Sequence, residues 1–148
     1  MNSKSRSRSG PADRLNERPG YLLKRAAASA MADLSERLAA IDLRQVDAST
    51  LVLIDEKPGI IGSSIGKILD IRGANMVPLI RKLEDRDLIE RTPIDGKSNG
   101  LHLTDKGKQV CREAEAILAR FEQDLMARVP AEHREHLAPA LLAIWRQS

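Results

Sequence analysis

Two apolar-periodic runs separated by a sharp break, followed by a turn-rich tip between two β-like pieces, constrain this chain more than any other feature. They lie between Ser63 and Thr104. In the first run, Ser63–Leu69, Ile65, Ile68 and Leu69 recur at helical spacing and are expected to face inward, with Gly62 or Ser63 as cap. Asp70–Gly73 breaks the pattern. A second run then continues to about Arg86, with Met76, Leu79, Ile80 and Leu83 on one face. Asp87 stands where a left-handed residue often follows a helix, a conformation Asp tolerates. Leu88–Ile94 and Leu101–Thr104 read as short strands around the turn formers Asp95-Gly96-Lys97-Ser98-Asn99-Gly100. Helix, turn, helix and hairpin in this order make a winged helix-turn-helix lobe.

The outward residues suit contact with double-stranded DNA. Ser63, Ser64 and Lys67 place small hydroxyls and a cation at a helix start, where phosphate is well received, although such residues also serve as ordinary caps. Arg72 follows in the turn. On the second helix Ala74, Asn75, Pro78, Arg81 and Lys82 share the outer face, small residues first and cations later. An N-terminal end of that kind enters a major groove while the later cations reach the backbone. Asn75 is the one side chain there able to read a base edge with two bonds. Pro78 leaves two arrangements open. A helix starting after Asn75 keeps Pro78 in the first turn and occupies Asn75 as cap; one starting at Arg72 or Gly73 frees Asn75 and strains the helix. Lys97, Ser98 and Asn99 at the hairpin tip are the remaining DNA candidates.

The flanks are helical. Pro19–Ile41 carries Leu23, Ala26, Ala27, Ala30, Leu34, Leu38 and Ile41 in one stripe, small in its middle, suited to close helix packing. Asp42–Asp47 breaks it, and Ala48–Glu56 is a short helix with Asp47 as expected N-cap. Thr104 caps a long helix to about Arg128 with Val110, Ala114, Ile117, Leu118, Phe121, Leu125 and Val129 on one side. After Pro130 a last helix carries Leu137, Leu141, Leu142 and Trp145, with Pro139 expected to kink it. Apolar stripes at both ends point to burial across a dimer two-fold. The expected division is a basic disordered tail (1–18), an N-terminal dimerisation helix (19–46), the DNA-binding lobe (47–107) and C-terminal dimerisation helices (108–148).

Charge and composition narrow the partners. The formal charge is +3. Residues 1–18 hold five bases (Lys4, Arg6, Arg8, Arg14, Arg18) against two acids, and the rest is balanced. Nucleic acid is thus met through a local basic face, with the tail either a solvated end or a basic arm. Tyr21, Phe121 and Trp145 are the only aromatics, too few for a base-stacking platform. No run is long enough for a membrane span and no secretory signal is visible, so a cytoplasmic location is expected. The single Cys111 excludes an internal disulfide framework.

The stretch LDIRGANMVPLIRKLEDRDLIER (Leu69–Arg91), then a wing and LTDKG (Leu103–Gly107), resembles the MarR family of bacterial transcription regulators. The resemblance covers most of the chain after residue 19. It implies a homodimer on a palindromic operator, usually a repressor, released by a small aromatic or anionic ligand such as an aromatic acid or its CoA thioester. It implies a crevice lined by the first, second and fifth helices, with Tyr21, Arg25 and Ser29 as polar candidates. The wing departs from the family pattern, with Gly96 and Lys97 where two arginines are typical; lysine inserts less well into a minor groove. Asp87 replaces the usual glycine, and Pro78 a polar or basic residue.

No catalytic constellation, P-loop or dinucleotide fingerprint is present, and no cofactor is expected. His133 and His136, three apart beside Arg134, read as a solvated face rather than metal ligands. Two other readings stand beside the ligand-released repressor: a winged-helix interaction module without effector, and a thiol-based redox regulator acting through Cys111.

Overall fold

The structure, a computed structural model, describes residues 10–146. The chain divides into two compact units, Met1–Asp33 and Leu34–Ser148. In the first, Asp13–Asn16 forms one helical turn (α1), and α2 begins at Pro19. At the start of α1 the Asp13 amide donates to the Gly10 carbonyl, within the stretch expected to be a tail. Lys4, Arg6 and Arg8 lie outside the described residues. α2 runs Pro19–Ala39 and crosses from the first unit into the second.

The second unit holds α3 (Gln45–Glu56), β1 (Ile60–Ile61), α4 (Gly62–Leu69), α5 (Gly73–Asp85), β2 (Ile89–Pro93), β3 (Asn99–Leu103), α6 (Asp105–Ala127), a 3-10 turn at Ala131–His133 and α7 (Arg134–Trp145). Sheet order is β1-β3-β2, antiparallel throughout, with Ile60 opposite Leu101 and Ile89 opposite Leu103. β1 is not legible as a strand in the sequence, because two residues between helices carry no alternation; pairing with β3 alone defines it.

Leu38, Leu51, Ile54, Ile65, Leu83, Leu88 and Leu101 form the fully buried centre. At roughly 1.5–3 kcal/mol per buried large aliphatic side chain, this cluster holds α2's last turns, α3, α4, α5 and the hairpin together. The four expected core residues of α5, Met76, Leu79, Ile80 and Leu83, are all buried. Ile68, expected to face inward from α4, is instead 57% exposed, because α4 is a short helix whose packing face centres on Ile65 and Gly66. Gly62, expected as a possible cap, is the first helical residue, and Ile61 is the N-cap. A Cβ on Gly62 would stand 2.7 Å from Ile80 Cδ1, so its absence lets α4 approach α5.

Two local features close the hairpin onto α6. Thr104 caps α6 as expected, its hydroxyl oxygen accepting from the Gly107 amide at 2.9 Å. The same hydroxyl donates to the Asp87 carbonyl (2.6 Å), and the Thr104 amide donates to the Leu88 carbonyl (3.1 Å). Asp87 adopts the left-handed conformation (φ 56°). Helix α6 then packs so tightly on this corner that a Cβ on Gly107 would lie 1.8 Å from the Leu88 carbonyl oxygen. Pro130 precedes a 3-10 turn, so α7 starts at Arg134 rather than at the proline. Pro139 lies inside α7.

Gly107→Ala forces backbone apart at the root of the hairpin. A loss of about 2–3 kcal/mol or more is expected, visible as a lower urea midpoint at unchanged slope.

Candidate nucleic-acid interface

The site is built on α5, which packs on α4 and β2 and is tied to α3 by one buried carboxylate. Asp47 is 0% exposed. It accepts the Arg44 amide (2.9 Å), the Arg44 guanidinium through Nε (3.2 Å) and Nη2 (2.9 Å), and Lys82 Nζ (3.3 Å). Asp47 was expected to be the N-cap of the Ala48–Glu56 helix. It is the third helical residue instead, and Arg44 takes the cap position. The reason is geometric: from that place a carboxylate reaches back to the capping residue's amide, as in the second half of a capping box. Burial alone would raise the Asp47 pKa. The guanidinium and amide of Arg44, together with Lys82, outweigh it and hold the carboxyl below its ordinary value.

Lys82 thus leaves the outer face to bridge α5 and α3, its side chain 43% exposed. Arg86 extends the bridge, donating to the Asp42 carbonyl (2.7 Å), where Asp42 turns the chain with φ 55°. On the other flank Arg91 of β2 forms a two-pronged pair with Glu84 of α5 (2.6 and 2.7 Å). Arg91 was not singled out from sequence, and Asp47 was singled out only as a helix cap, not as the partner of Lys82. The spacing Arg44-x-x-Asp47 ahead of an apolar run was the available signal for the first.

The open question at Asn75 is answered by the helix start. α5 begins at Gly73 with Arg72 as N-cap, and the Asn75 amide donates to the Arg72 carbonyl (2.9 Å). No side chain caps this helix, and Asn75 is exposed. Pro78 is therefore interior and withholds the amide that would serve the Ala74 carbonyl, at a cost of about 3 kcal/mol. Burial of Met76, Leu79, Ile80 and Leu83 at about 1.5–3 kcal/mol each more than offsets that cost. Ala74, Asn75, Pro78 and Arg81 form one exposed surface.

Ser63 and Lys67 are exposed on α4, with Ser64 half-buried behind them. A groove of about 230 Å³ joins Ser63 to Lys97, Ser98 and Asn99 of the hairpin, with Arg91 on its wall. A second groove of about 540 Å³ runs between α4 and α5 past Ser63, Lys67, Gly73 and Val77. The wing tip is ordered by Asp95, whose carboxylate accepts the amides of Lys97 (2.8 Å) and Ser98 (2.7 Å). Those two amides hold the Asp95 carboxyl below its usual range. Lys97 is left projecting and exposed. The structure thus brings Ser63, Lys97, Ser98 and Asn99 around one groove and keeps Ala74, Asn75, Pro78 and Arg81 on one helix face.

Tyr21, Arg25 and Ser29 recur every fourth residue on α2, Tyr21 half-buried and the other two exposed. Cys111 is buried, 2% exposed. Burial, then the charges of Asp55 and Glu115, push its thiol up to about 11. A redox sensor needs an accessible thiolate, and this thiol is neither accessible nor ionised at neutral pH.

A helix-turn-helix with a paired-strand wing, an exposed helix face and a lysine at the wing tip defines a winged-helix DNA-binding lobe. The family model described as MarR family matches residues 43–97. The transcriptional repressor CouR, solved bound to a 23-mer DNA duplex, is 33% identical, with a TM-score of 0.83 over 92% of this chain and 98% of that one. CouR bound to p-coumaroyl-CoA is 31% identical, with a TM-score of 0.80 over 96% of this chain and all (100%) of the other. A Thauera aromatica protein named for regulation of the hcr operon is 30% identical over 99 residues, 66% of this chain, and the match spans 60% of that relative's length. The chain belongs to the MarR family of transcriptional regulators. Among the described residues, no helix is long and apolar enough to cross a membrane.

Asp47→Asn removes the charge that joins α3 to α5. At pH 7 a loss of roughly 1–3 kcal/mol is expected. The depressed carboxyl contributes its stability above the unfolded value, about 4, and loses it as pH falls through the lower folded value. The wild-type and variant denaturation curves should therefore converge in acid; a gap that stays constant down to pH 2 contradicts the assignment.

Proposed function

We propose that this chain is a dimeric repressor that lays α5 in the major groove of a palindromic operator and is released by an aromatic anion or its CoA thioester. The observation that carries the DNA reading is Asn75: exposed at the N-terminal end of α5 and capping nothing, it is available for a base edge, with adenine the usual partner. Arg81, six residues later, supplies a phosphate contact, while Lys82 acts mainly through Asp47. Ser63, Ser64, Lys67 and Arg72 position the helix on the backbone, and Lys97, Ser98 and Asn99 bring the wing to the adjacent groove. Support for a dimer comes from α7, on which Leu141, Leu142, Ile144 and Trp145 are 41%, 39%, 59% and 69% exposed in the single chain. A second copy would cover that surface.

The effector reading draws on CouR, which has been solved with p-coumaroyl-CoA. Arg25 would meet the anionic group, with Tyr21 and Ser29 on the same helix face offering hydrogen bonds. The exposed cysteine that a thiol-switched regulator requires is not offered by Cys111.

Mobility shifts with DNA from upstream of the protein's own gene test the DNA reading. Asn75→Ala should cost about 1–3 kcal/mol on the operator and little on random DNA. Arg81→Ala should weaken both and lower the salt slope by about 1. Equal losses on specific and random DNA for Asn75→Ala would remove its base-reading role.

Release of the operator complex by p-coumaroyl-CoA, compared with p-coumarate and free CoA, tests the effector. In Arg25→Ala the concentration needed for release should rise about tenfold or more, with operator affinity unchanged; an unaltered response would exclude Arg25.

A further inference from the structure

Away from the DNA-facing surface, α3 and α6 bring three ligand-bearing side chains together. Asp55 lies in the last turn of α3, and Cys111 and Glu115 are one turn apart on α6. One ligand atom from each lies within 4.8 Å of the others. The thiol is 2% exposed, whereas both carboxylates reach solvent. Among the described residues, none of these three side chains makes a hydrogen bond or ion pair. A buried, unpartnered thiol thus faces two exposed carboxylates where α3 meets α6.

We propose that Asp55, Cys111 and Glu115 bind one divalent ion of the zinc type. A cation inverts the local preference: a metal–sulfur bond forms, the thiol proton leaves to solvent, and each carboxylate contributes one oxygen. Zn²⁺ takes Cys, Asp and Glu ligands at about 2.0–2.3 Å. The exposed carboxylates close in on the fixed sulfur to reach those distances, which their unpaired side chains leave them free to do. The thiolate selects against Mg²⁺ and Ca²⁺, which prefer oxygen alone. With three protein ligands, the fourth position faces solvent. A cavity of about 420 Å³ that borders Asp55 and also includes Glu90, His102 and Lys108 gives the ion a route in. The ion would join the end of α3 to α6, on the same helix whose first turn carries Asp47. This site is independent of the DNA and effector readings.

Titration of the full chain with Zn²⁺ by calorimetry, and with Co²⁺ by absorption, tests the proposal. One equivalent should bind, with a thiolate-to-Co²⁺ charge-transfer band that Cys111→Ser abolishes. Asp55→Asn and Glu115→Gln, both at exposed positions that leave the core intact, should each weaken binding about tenfold or more. A His133→Gln/His136→Gln variant should bind as the parent does. Absence of saturable binding, absence of the band, or affinity that depends on the two histidines and not on the carboxylates would overturn it.

Discussion

One buried anion, Asp47, ties α5 to α3. Asp47 has no solvent exposure, so its charge is tolerable only because four donors from two residues meet it. Three of these come from Arg44, one turn earlier, and lock the start of α3. The fourth is Lys82, which carries the interaction across to α5. A surface pair of the same chemistry would contribute little. Here one partner is fully dry, and only its bonds from Arg44 and Lys82 meet its charge. α5 packs chiefly on α4 and β2, and the Lys82–Asp47 pair adds a direct link from α5 to α3 that this apolar packing does not supply.

The wing is positioned by a different device. The α5–β2 corner needs a left-handed residue, met by Asp87, and Thr104 then serves both sides of the hairpin root. Gly107 permits backbone-to-backbone contact where any side chain would intrude. Arg91 and Glu84 tie β2 back to α5. Helix α5 and the wing are thus braced against each other through short, mostly local contacts, and the tip beyond Pro93 projects. The tip is shaped by Asp95 and its two amide bonds, so Lys97 is presented by backbone geometry and not by packing.

Much of this lobe was legible. The core face of α5, the Thr104 cap, the left-handed Asp87 and the hairpin follow from spacing and turn chemistry, because each depends on residues within about one turn of one another. Misreadings arose where a partner far along the chain decided the outcome. Ile68 looks like a core residue by period alone, yet α4 packs through Ile65 and Gly66 and leaves Ile68 on the outside. Asp47 looks like an N-cap, yet it stands at the third helical position, where it reaches back to the Arg44 amide and also meets Lys82, 35 residues away. β1 exists only because β3 pairs with it. The convergence of Asp55 with Cys111 and Glu115 could not be read from their separation in sequence.

The sequence by itself determined that this is a helix-turn-helix with a wing, and the motif Leu69–Gly107 sufficed for the family, since local periodicity and turn residues encode those elements directly. Tertiary structure decided which exposed groups are available. Asn75 is released from capping because burial of four apolar residues carries an interior Pro78. Lys82 is drawn inward because a dry carboxylate attracts it more strongly than a hydrated one. Availability is a matter of burial and of competing partners, and both are set by contacts between segments distant along the chain.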